Sequence, residues 1–224
     1  MNHTPNPGLP NPEALIFDLD GVLIDSEPLH EEAERIVFAA RGLEVPPSAF
    51  REIKGRTTRE AFAHLFRVCG ADGLDMDALI EEKRRLFLDL LRDVRPIPGA
   101  LAFVRRAAGR GLRLGLTTSS DPATLRTAFD AFALDPFFDA VVTAADVTRA
   151  KPDPEPYRLT TERLGADPAK TLVIEDSTNG VRSAARAGCR VAGLTTSFDA
   201  EALREAGAHL TFASFGELAR GLGW

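Results

Sequence analysis

Five short apolar runs, "ALIF" at 14–17, "LRLGLT" at 112–117, "AVVT" at 140–143, "TLVI" at 171–174 and "RVAGL" at 190–194, alternate with amphipathic stretches. The runs are too short to be helices, and the stretches between them keep helical spacing. In "GALAFVRRAAGRG" (99–111), Leu101, Val104 and Ala108 share one face. In "PEPYRLTTERLG" (154–165), Asp153 and prolines open the pattern and Gly165 closes it, as helix termini prefer. Strands alternating with helices predict an α/β fold, a doubly wound and mostly parallel sheet. "HLTFAS" (209–214) is its expected last strand.

Residues 25–93 break the alternation. They hold no strand pattern but three clear helical ones, "EPLHEEAERIVFAARG", "TREAFAHLFRVCG" and "DALIEEKRRLFLDLLRD". An all-helical domain inserted into the sheet domain is therefore expected, leaving 12–24 and 94–224 as the α/β core. Residues 1–11 read as a flexible tail, because "MNHTPNPGLPNP" packs four prolines into twelve positions with no apolar segment. A chain of 224 residues is long enough for this core-plus-insert plan. The net charge of −6 and the lack of a basic stripe argue against a nucleic-acid partner. No apolar run approaches the roughly 18 residues of a membrane span. Cys69 and Cys189 are distant and form no CxxC pair, which points to reduced thiols and a cytoplasmic protein. A monomer is expected.

Open α/β sheets bind ligands beyond the carboxyl ends of their strands. There the first strand runs into Asp18-Leu19-Asp20-Gly21, the second into Thr117-Thr118-Ser119-Ser120, and the fourth into Glu175-Asp176-Ser177. Lys151-Pro152 precedes the fourth strand at a helix entry. Carboxylates gathered at the end of a buried strand repel and lose hydration unless positive charge sits between them. Each residue alone has a plainer explanation as a turn, a cap or a solvated lysine. Four segments converging on one sheet edge are harder to explain that way.

"DLDGVLIDSEPLH", "TTSS", "KPDPEPY" and "VIEDSTNGVRSAARAG" resemble, in order and spacing, the four motifs of the haloacid dehalogenase superfamily. The match is closest to its branch of phosphoglycolate phosphatases, sugar-phosphate phosphatases and β-phosphoglucomutase. It covers residues 13–195 and implies a Rossmann-like core with a helical cap that encloses a small phosphorylated metabolite. It also implies a mechanism. Asp18 attacks phosphorus to form an aspartyl-phosphate, and Asp20 acts as general acid and then base. Gly21 allows close backbone approach to the phosphate. Mg²⁺ is held by Asp18, the backbone carbonyl of Asp20 and Asp176, with Glu175 directly or through water. Thr118, Ser119 and Ser120 bind phosphoryl oxygens, and Lys151 offsets the negative charge. His30 matches a histidine of the first motif and is a candidate to line the site. Arg56 and Arg59 are candidate cap cations, as are Lys54, Lys83 and Arg84.

Plainer readings stand beside these. Ser119 and Ser120 are candidates to cap the next helix, as Ser177 is for its own. Lys83 reads as part of a solvated helix face. His3, His30, His64 and His209 show no metal-ligand spacing. A mutase needs cations for a second phosphate, but Thr58 stands where its relatives place an arginine, and Asp121 follows the serines with the wrong sign. A monophosphatase is the favoured function, with a β-phosphoglucomutase-type mutase and a catalytically silent binding protein as alternatives.

Overall fold

The computed structural model describes residues 12–53, 58–71 and 73–224, so the tail expected at 1–11 lies outside it. The chain divides into two compact units, one running through Asp25 and resuming over Arg95–Trp224, the other Ser26–Val94.

The first unit is built on six parallel strands: β1 (Ala14–Phe17), β2 (Arg113–Thr117), β3 (Ala140–Val142), β4 (Thr171–Glu175), β5 (Arg190–Leu194) and β6 (Leu210–Phe212). Their order is β3-β2-β1-β4-β5-β6, which reverses direction between β1 and β4. β1 and β4 are buried along their whole length, which is why they read as continuous apolar runs. In register, Phe17 lies beside Leu116 on one side and Ile174 on the other, so these strands end at one level.

Helices of the insert come next in the chain, α1 (Glu27–Ala39), α2 (Pro47–Ile53), α3 (Thr58–Cys69) and α4 (Met76–Leu90). The α/β unit then contributes α5 (Ala100–Gly109), α6 (Pro122–Phe132), α7 (Glu155–Leu164), α8 (Thr178–Arg186), α9 (Ala200–Ala206) and α10 (Phe215–Gly221). Ala14, Ile16 and Val173 on one sheet face pack with Tyr157 of α7, Val181 of α8 and Leu203 of α9. On the opposite face Phe17 meets Phe103 of α5 edge-on, and Phe103 meets Phe215 of α10. Period-two alternation thus sends neighbouring β1 residues into two separate apolar layers.

The helical unit has its own core. Val37 and Phe38 of α1, Phe50 and Ile53 of α2, Phe62 and Leu65 of α3 and Leu79 of α4 are all buried in it. α2 is the helix that the apolar pattern does not single out: seven residues give too few turns for a helical period to register. Among the described residues no helix is long and apolar enough to cross a membrane.

Candidate active site

Strand register decides which groups meet. The Asp18 N–H donates to the Ile174 carbonyl at 3.0 Å, keeping the first residue beyond β1 beside the end of β4. From there Asp18 Oδ1 accepts a hydrogen bond from Lys151 Nζ at 2.6 Å. The same ammonium donates to Glu175 Oε1 at 2.8 Å and to the Thr117 carbonyl at 3.1 Å. These acceptors use all three of its protons. Burial alone would pull the Lys151 pKa down, but Asp18 and Glu175 outweigh it and hold the ammonium above its ordinary value.

Glu175 is more heavily engaged than expected. Its Oε1 also accepts from the Tyr157 hydroxyl at 2.8 Å. Its Oε2 accepts from the Asp176 N–H, the Ser177 N–H and the Ser177 hydroxyl, each at 3.0 Å. Even the space beside it is full, since a Cβ on Gly180 would lie 1.6 Å from Oε1. Burial would raise its pKa, yet the Lys151 charge and these hydrogen bonds hold it below the usual carboxylate value. A carboxylate offers about four lone-pair positions, and five donors already compete for them. Its oxygens serve Lys151, Tyr157 and the entry to α8 while also lying beside the carboxylates of Asp18 and Asp176.

Asp18 and Asp176 are in the opposite condition. Burial raises the Asp18 pKa to about 7 despite Lys151, and Glu175 and Asp20 add to the rise. Asp176 is pushed well above its ordinary value by burial and by the charges of Glu175 and Asp18. One oxygen from each of Asp18, Glu175 and Asp176 lies within 4.8 Å of the others. Three carboxylates against one ammonium leave negative charge uncompensated, and an all-oxygen donor set suits a hard divalent cation. The residues present fit a metal.

Gly21 makes the close packing possible. Its φ of +73° is in the left-handed region, and a Cβ there would sit 1.9 Å from Asp176 Oδ2. Asp20, between Leu19 and Gly21, accepts from the Ser120 hydroxyl at 2.6 Å through Oδ2. Thr118 is buried and accepts from the Ser120 N–H at 2.9 Å, while Ser119 is exposed. The capping alternative for the two serines is corrected: Asp121 caps α6, accepting from the Ala123 and Thr124 N–H groups at 2.8 and 3.0 Å. Ser177 does cap α8, accepting from the Gly180 N–H.

Three groups escaped the sequence reading. Tyr157 is fully buried, with its ring 4.9 Å from Lys151 Nζ and its hydroxyl on Glu175. Its signal was the tyrosine closing "KPDPEPY". Thr196 and Ser197 follow β5, Ser197 donating to Asp176 and Thr196 lying 3.4 Å from it, and nothing in their local sequence marks them.

Within the helical unit, His30 and Lys83 are brought together, Nζ to Nδ1 at 2.7 Å, and the imidazole stacks on Phe87 at 3.9 Å. Lys83 is buried beside Glu34, which corrects its reading as a solvated residue. Arg59 is exposed and paired with Asp77, and Arg84 pairs with Glu81. Lys54 and Arg56 lie outside the described residues.

The model of the haloacid dehalogenase-like hydrolases matches residues 15–194. The phosphorylated carbohydrates phosphatase of Thermotoga maritima is 38% identical over 201 residues, covering 88% of this chain and 92% of its own. The fructose-1-phosphate phosphatase YqaB of Escherichia coli is 34% identical over 175 residues, covering 78% and 92% respectively. Among solved structures, CbbY from Rhodobacter sphaeroides in complex with phosphate superposes with a TM-score of 0.81 at 29% identity, covering 95% of this chain and 100% of that one. The chain belongs to the haloacid dehalogenase-like hydrolases. Family, phosphatase relatives and the buried aspartate site together make it a phosphoric monoester hydrolase.

Proposed function

We propose that the protein is a Mg²⁺-dependent phosphatase of small phosphorylated metabolites, with sugar phosphates as its substrate class, working through an aspartyl-phosphate. The observation that carries this is Asp18: a buried carboxylate at the sheet's switch point, held at 2.6 Å by an ammonium that two further acceptors anchor. The relatives named for phosphorylated carbohydrates and fructose 1-phosphate support the substrate class.

In the first half-reaction an Asp18 oxygen bonds to phosphorus as the ester P–O bond breaks, and Asp20 protonates the departing alkoxide. In the second, Asp20 takes a proton from water as its oxygen bonds to phosphorus. The bond from Asp18 to phosphorus then breaks and releases inorganic phosphate. The Ser120 hydroxyl on Asp20 Oδ2 fixes the orientation of the acid–base group. Thr118 and the Ser119 backbone bind phosphoryl oxygens, and Lys151 opposes the charge gathering around them. Asp18, Asp176 and the Asp20 carbonyl, with Glu175 directly or through water, would hold Mg²⁺, which would supply electrostatic stabilisation of the transferred group.

The test is a panel of phosphorylated metabolites assayed for phosphate release with Mg²⁺ and with chelator, with isomerisation of β-glucose 1-phosphate run alongside. Mg²⁺-dependent release from one sugar phosphate is the expected result. Isomerisation without net release would replace the phosphatase by a mutase, and neither reaction would leave a silent binding protein.

A further inference from the structure

The turn after β5 lies beyond the four motif stretches, yet two of its hydroxyls reach the carboxylate cluster. Thr196 Oγ1 donates to the Gly21 carbonyl at 2.7 Å and lies 3.4 Å from Asp176 Oδ2. Ser197 Oγ donates to the same Asp176 Oδ2. Gly21 closes the other side, because a Cβ there would lie 1.9 Å from that oxygen and 3.2 Å from Ser197 Oγ. Asp176 Oδ2 is thus wedged between the turn after β1 and the turn after β5. A hydroxyl has one proton to give. Thr196 spends its proton on the nearer acceptor, Gly21, and Ser197 spends its own on Asp176.

We propose that Ser197, braced by Thr196, is a positioning residue that fixes the orientation of Asp176 and thereby sets the protein's affinity for its divalent metal. This rests on Asp176 being a metal ligand. A carboxylate with one oxygen tethered presents the other in a single direction, so ligation costs less ordering. Groups that orient a metal ligand in this way typically change metal affinity by about 10–100-fold when removed. Ser197 is only half-buried, so trimming its hydroxyl disturbs no apolar core.

The experiment is calorimetric titration of Mg²⁺ into substrate-free wild type, Ser197→Ala and Ser197→Thr, with the melting temperature of each metal-free protein measured in parallel. Ser197→Ala is expected to bind Mg²⁺ roughly tenfold more weakly. Ser197→Thr keeps the hydroxyl and should restore most of that loss, with metal-free melting unchanged throughout. Equal or tighter binding by Ser197→Ala would overturn the proposal, as would weakening matched by a lower metal-free melting temperature. A wild type that binds no Mg²⁺ would overturn the metal reading of the site itself, a result distinct from a variant that matches its parent.

Discussion

Among the described residues each unit buries one lysine, and the two are accommodated differently. Lys151 in the α/β unit and Lys83 in the helical unit have side chains only 7% and 6% exposed. Lys151 donates to three oxygens within 3.1 Å, two of them carboxylate. Lys83 lies 2.7 Å from the His30 Nδ1 nitrogen and 3.9 Å from Glu34. The acids beside them respond differently, and not by unit alone: burial raises Asp18 to about 7 even against Lys151. Glu175 stays below the ordinary carboxylate value, whereas burial lifts Glu34 to about 7, with Lys83 only partly opposing it and Glu27 and Glu31 of the same helix reinforcing it. Burial is similar in the two places. The Lys151 charge, followed by the hydrogen bonds from Lys151, Ser177 and Tyr157, keeps Glu175 charged, whereas burial outweighs one ammonium at Asp18 and at Glu34.

If the Lys151 cluster is built for chemistry, removing its nucleophile has the largest effect. Asp18→Asn is expected to lower kcat by about 10⁴-fold or more while the circular dichroism spectrum stays that of wild type. Retained turnover would end the assignment of Asp18.

Stability separates the two lysines next. Lys151→Met strands Glu175 as an uncompensated buried charge and should cost about 3–5 kcal/mol in urea unfolding of the metal-free protein. Lys83→Met, measured at pH 6 where Glu34 is largely neutral, should cost less, about 1 kcal/mol, since the acid beside it then carries little charge. Equal costs would break the comparison.

The raised Glu34 pKa sharpens it further. The folded state holds this proton more tightly than the unfolded chain does, so the stability it contributes is full below pH 4.5 and disappears as pH climbs to about 7. Its loss across that window should be about 2–3 kcal/mol. Glu34→Gln should flatten that part of the profile, with Lys83, His30, Glu27 and Glu31 left in place. A parallel profile in the variant would show that Glu34 is not the titrating group.

The smallest effect belongs to Arg59, whose pairing with Asp77 is exposed. Arg59→Ala should change stability by less than about 0.5 kcal/mol. A fall in kcat/KM well beyond twofold would mark it as a substrate contact despite that pairing.

Much of the site was legible because its chemistry sits in contiguous stretches at strand ends. Asp18 and Asp20 follow the apolar run of β1, Thr118 follows β2, and Glu175 closes β4. Other features depend on neighbours distant in the chain. Ser197 reaches Asp176 across 21 residues because β5 pairs with β4, and both turns emerge at the same edge. Lys83 looks solvated among "EEKRR", yet the packing of α4 on α1 buries it between His30 and Glu34. Asp121, weighed only as a charge of the wrong sign, is the cap of α6.

Residue order by itself determined the alternation of strand and helix, the helical insert and the identity of the acids, hydroxyls and lysine that gather at the sheet edge. These follow from apolar period and turn chemistry, which are local. Only the tertiary structure decided how the charges are shared: Glu175 engaged by five donors, its carboxylate gathered with those of Asp18 and Asp176 into one cluster that fits a cation, and a serine beyond the last motif turned onto Asp176. Hydrogen-bond satisfaction and desolvation depend on which atoms come within about 3 Å of one another. In a parallel sheet that is set by register between strands far apart in the chain.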